Sequence, residues 1–98
     1  MNKYQELIVW QKAMDYVISV YEATRKFPAE EKFGLVSQIN RAVVSIPSNI
    51  AEGAGRDSKK EFAHFLSIAK GSSYEVETQL MLSKKNGLRH RRKSSNFN

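Results

Sequence analysis

A proline stands in the middle of what otherwise reads as one amphipathic helix, and no other feature constrains this chain as tightly. Phe33, Val36, Ile39, Val43, Ile46 and Ile50 recur at spacings of three and four, the period of one helix face. The stripe passes Pro47 without changing phase, which predicts a single kinked helix over residues 29–54. Proline removes a backbone donor and crowds the carbonyl four residues back. Ser45, Ser48 and Asn49 surround it, and their side chains are predicted to hydrogen-bond the carbonyls of residues 42 to 45. Acidic residues at Glu30 and Glu31 suit the start of this helix, and Gly53 and Gly55 its end.

Two further helices flank it. Leu7, Trp10, Met14, Val17, Tyr21 and Thr24 form a stripe that predicts a first helix over residues 4–26, stopped by Phe27-Pro28. Ser58 with Glu61 is a capping-box pattern that opens a third helix over residues 58–86, with Asn86-Gly87 as its stop. Its stripe is Phe62, Leu66, Ala69, Ser73, Val76 and Leu80, and Gly71-Ser72 read as a notch for a neighbouring backbone. The expectation is an all-α, antiparallel up-down bundle over residues 1–87, followed by a disordered basic tail over 88–98. Ile8, Ile18, Val20, Ile68, Tyr74, Met81 and Leu82 lie off the stripes. This surplus of apolar surface predicts contact with another chain or a missing element.

Ninety-eight residues allow one domain. The absence of cysteine excludes disulfides, thiolate catalysis and cysteine-based zinc sites. The run Leu7-Ile8-Val9-Trp10 is too short for a signal peptide or membrane span, so a cytoplasmic protein without a membrane partner is expected. Of the net charge of +6, Arg89, Arg91, Arg92 and Lys93 supply four, leaving +2 for residues 1–88.

Catalytic patterns are thin. Glu61-Phe62-Ala63-His64 has the Glu-x-x-His spacing of di-iron bundles, but no second copy exists and His64 falls opposite the helix stripe. Glu75 and Glu77 are two apart and point to different sides of a helix. Gly53-Ala54-Gly55 lacks the strand, turn and lysine of a phosphate-binding loop. The expectation is a non-enzymatic protein with no metal and no cofactor. Binding features are better. Arg41, Arg56, Lys59, Lys60 and Lys70, with Arg89, Arg91 and Arg92 of the tail, are candidate phosphate contacts for RNA or DNA. Interspersed Glu52, Asp57, Glu75 and Glu77 make ordinary surface charge the competing reading of each.

Several runs together resemble one family. They are Leu7-Ile8-Val9-Trp10-Gln11-Lys12-Ala13, Phe27-Pro28 with Gly34-Leu35 and Gln38, and Ser45-Ile46-Pro47-Ser48-Asn49-Ile50-Ala51-Glu52-Gly53 through Arg56. Glu61, Phe65-Leu66, Gly71-Ser72, Glu75 and Glu77-Thr78-Gln79-Leu80 extend the match. The chain resembles, over about residues 4 to 87, the four-helix-bundle proteins encoded in intervening sequences of bacterial 23S ribosomal RNA genes. That resemblance implies an antiparallel four-helix bundle, assembly as a homopentamer, no known catalytic activity and a nucleic-acid-binding role. Relatives include the accessory variability determinant of diversity-generating retroelements, a basic pentamer that binds nucleic acid and a reverse transcriptase. After Asn86-Gly87-Leu88 the chain leaves the family's pattern, where a fourth amphipathic helix is expected, and the basic run looks like a frameshifted or truncated end. A protein-interaction module whose charge serves only solubility is the alternative function.

Overall fold

The computed structural model describes residues 3–87; residues 88–98, with Arg89, Arg91, Arg92 and the expected tail, lie outside the described residues. A 3-10 turn at Tyr4–Glu6 leads into α1 (Ile8–Thr24), a second such turn at Ala29–Glu31 precedes α2 (Leu35–Ala54), and α3 runs Lys59–Lys85. The fold is all-α, and there is no strand among the described residues. Three packed helices are present there; a fourth is not among them.

The central helix α2 packs against both neighbours, whereas no Cα atoms of α1 and α3 come within 8 Å of each other. This follows from where each helix puts its apolar side chains. Ile39, Val43 and Ile50 are almost wholly buried on α2 and meet Val17 and Val20 from α1 and Ala69 and Val76 from α3 in one core. The particle is long and narrow, 55 × 19 × 19 Å. Thr24 Oγ1 lies 3.2 Å from Asn40 Oδ1, tying the end of α1 to α2.

Several boundaries and faces differ from the sequence reading. The first helix begins at Ile8, because Leu7 is extended. Its buried side is Ala13, Val17, Val20 and Thr24, while Met14 and Tyr21 are exposed. Val20, off the expected stripe, is thus core. The expected start of the second helix at residue 29 is a separate 3-10 turn. Gly34 (φ −108°, ψ −106°) breaks the helical backbone, and α2 starts only at Leu35. Phe33 therefore leaves the stripe and is 88% exposed.

Around Pro47 the helix stays α-helical. Ser45 Oγ donates to Ala42 O at 2.8 Å, Ser48 Oγ to Val44 O at 2.9 Å and Asn49 Nδ2 to Ser45 O at 2.8 Å. These are carbonyls within residues 42 to 45, as expected from the sequence. Val43 O, the carbonyl four residues before the proline and so deprived of its usual donor, is not among the three. Ser45 Oγ also lies 2.5 Å from Ser72 Oγ across the α2–α3 contact. With its own proton committed to Ala42 O, it accepts from Ser72.

Gly53 and Gly71 depart from the roles expected of them, while Gly55 keeps its own. Gly53 is not a stop but a buried residue within α2. A Cβ there would sit 2.7 Å from Phe65 Cβ and 3.1 Å from Phe62 Cδ1. Only hydrogen at this position lets α2 and α3 approach so closely. The helix is capped two residues on, at Gly55. Gly71 meets nothing within 4 Å of its would-be Cβ, so of the notch expected at Gly71-Ser72 only the Ser72 half meets a neighbour, Ser45 of α2. At the head of α3, Ser58 Oγ accepts the Glu61 backbone N–H at 3.0 Å, as the capping-box pattern predicts.

Candidate nucleic-acid interface

The cations picked from the sequence do not share one patch. Arg56, at the turn between α2 and α3, is held by carboxylates. Its guanidinium lies 2.7 Å from Glu52 Oε2 and 3.7 Å from Glu61 Oε1, and stacks 5.0 Å from the Phe65 ring centroid. These contacts fix the turn and leave Arg56 less available than its neighbours. Lys60 lines a shallow pocket beside it with Ser58, His64 and Phe65. Lys59 and Lys70 are eleven residues apart on α3, about three turns, and so share a face. Lys70 Nζ lies 6.0 Å from the Tyr74 ring centroid. Arg41 is exposed on α2 and lines different pockets from Lys60. Among the described residues, Arg41, Lys59, Lys60 and Lys70 are exposed and have no carboxylate partner.

Arg41 borders two grooves. One, of about 740 Å³, runs along the outer face of α2 beside α1, between Tyr21 and Phe33, with Val36, Asn40 and Val44 along its length and Lys32 at its rim. It adjoins a smaller cleft of about 420 Å³ lined by Arg25, Phe27 and Asn40. The other passes Gly34, Ser37 and Ser45 to reach Glu75 on α3. Arg25, Lys32, Tyr21 and Phe33 were not among the sequence candidates. Phe33 was hidden because its spacing matched the core stripe of α2; the available signal was Gly34, which ends that register. Lys32 Nζ stands 5.5 Å from the Phe33 ring centroid.

Nothing in the described residues gathers three or more potential metal-ligating acidic, histidine or cysteine side chains. His64 is exposed and stacks edge-on to Phe65 at 5.4 Å, a surface contact and not a ligand arrangement. Burial pushes the phenol of Tyr16 on α1 above its ordinary pKa of 10.0, and the charge of Glu77 on α3 adds to the effect. No helix among the described residues is long and apolar enough to cross a membrane.

The family model of the 23S rRNA-intervening sequence proteins matches residues 5–98. The chain belongs to that family. The match continues through residues 88–98, the stretch read from the sequence as a departure from the family's pattern. Among curated proteins no match is found.

Proposed function

We propose that this member of the 23S rRNA-intervening sequence protein family is a non-enzymatic, cytoplasmic bundle that binds RNA or DNA as a homo-oligomer. The observation that carries the reading is the set of exposed cations without carboxylate partners, Arg41, Lys59, Lys60 and Lys70, on a family member of net charge +6. Free cations on rigid helices contact phosphates without reading sequence, so affinity for many nucleic acids and strong salt dependence are expected. Oligomerisation is supported by apolar side chains that this chain leaves uncovered: Ile8 is 67% exposed, Ile18 56% and Met81 61%. The pentameric state is the one that the resemblance implies.

The test is retention of RNA and of DNA by the purified full chain, with sedimentation equilibrium on the same sample. Binding of either nucleic acid by an assembly larger than the monomer is the expected result. A monomer that retains neither would refute the proposal. The same uncovered apolar faces favour a second reading, in which the bundle holds a protein partner. Co-purification of one protein that resists high salt, without nucleic acid, would select it.

A further inference from the structure

We infer that the groove between Tyr21 and Phe33 on the outer face of α1 and α2 binds unpaired nucleotides, with the two aromatic rings as stacking surfaces. The inference rests on the nucleic-acid reading above and names the site and the kind of strand. Three observations converge. Phe33 is 88% exposed at the rim, far beyond what a core phenylalanine shows, and Tyr21 is 38% exposed opposite it. Exposed rings beside cations are the usual platform for single strands, because every base has a face to stack and duplex bases do not.

Charge is the second observation. The charged residues lining the groove and its adjoining cleft are Arg25, Lys32 and Arg41, and no carboxylate lines either. Elsewhere on the surface acidic and basic residues alternate, as at Arg56 between Glu52 and Glu61. A cation-only rim fits a polyanion. The third is size and polarity. At about 740 Å³ the groove lies within the roughly 300–1,000 Å³ range of small-ligand sites. Asn40, Ser37, Ser45 and Ser48 place amide and hydroxyl groups along a wall shared with Val36 and Val44, where base edges would lie.

The experiment is fluorescence anisotropy of the full chain with a labelled RNA single strand of about twelve nucleotides, beside the duplex of the same sequence. Phe33→Ala removes a ring that makes no core contact, so folding is preserved. The expected result is preference for the single strand, weakened about five- to 150-fold by Phe33→Ala with no change in salt slope. Arg41→Gln should flatten the salt slope by about 0.7. The double variant Lys59→Gln/Lys60→Gln should leave the preference for single strands intact. If Phe33→Ala binds like the unaltered chain while Lys59→Gln/Lys60→Gln weakens binding, the groove assignment falls and the nucleic-acid reading stands. If no strand binds at low salt, both fall. Binding of a glutamate-rich, aromatic-bearing peptide in place of RNA also overturns the inference and gives the groove to a protein partner.

Discussion

Replacing Gly53 with alanine and Gly71 with alanine should move stability in opposite directions, although both glycines lie inside helices. At Gly53 the new methyl would stand 2.7 Å from Phe65 Cβ and 3.4 Å from Phe62 Cα, against an optimal carbon separation of about 3.5–4.0 Å. Neither atom is the end of a flexible side chain, so relief requires α2 and α3 to part. Overpacking of this kind costs about 3 kcal/mol at the upper end of its usual range. The better helix propensity of alanine offsets about 1 kcal/mol of that. The net loss of about 2 kcal/mol corresponds to a fall in Tm of about 8–16 °C for a domain of this size. At Gly71 no atom lies within 4 Å, so the propensity gain stands alone. A rise in Tm of about 4–8 °C is expected there. Thermal unfolding followed by circular dichroism reads both variants. A Gly53→Ala protein as stable as the unaltered chain would refute the claim that this glycine sets the distance between α2 and α3.

Three further outcomes follow from the same geometry. Ser58→Ala removes the cap on the Glu61 N–H and should cost about 0.5–2 kcal/mol in denaturant unfolding. Ile39→Ala, at a wholly buried position of α2, should cost about 2–5 kcal/mol by leaving a cavity, measured the same way. The Tyr16 phenol, held neutral by burial and by Glu77, titrates above 10.0 in the folded chain. The folded state then keeps its proton where the unfolded state has released it, so stability is undiminished below pH 10.0 and declines as pH rises beyond it. Tyr16→Phe should reduce that alkaline loss, read from unfolding curves at increasing pH.

The helical architecture was legible because periodicity survives where packing is dense. The α3 stripe through Ala69 and Val76 and the α2 stripe through Ile39, Val43, Ile46 and Ile50 are the core seen in the structure. The Pro47 segment was legible for another reason: Ser45, Ser48 and Asn49 act on carbonyls three or four residues back, a local geometry that needs no tertiary information. The α1 face was legible in part: Val17 and Thr24 of its stripe are buried and Leu7 and Trp10 pack on the core, but Ala13 and Val20 go in where Met14 and Tyr21 stay exposed. Gly53 and Gly71 could not be ranked from sequence, since their roles depend on which helix face meets Phe65. The candidate site fared least well. Charge counting found Arg41 but not the aromatic rings beside it, and it gave Arg56 equal standing without showing that Glu52 and Glu61 hold it.

The salt dependence of nucleic-acid affinity tests the central claim most directly. The association constant of the full chain for a single strand, measured across a range of salt concentrations, reports how many cations displace counterions from phosphates. Contacts by Arg25, Lys32 and Arg41 alone give a slope of log K against log salt of about −2, and contacts by Lys59, Lys60 or Lys70 steepen it. A straight line of slope −2 or steeper, within the ~0.7 per contact scale, is the predicted result. Affinity that does not change with salt, or no binding at the lowest salt, would contradict the account.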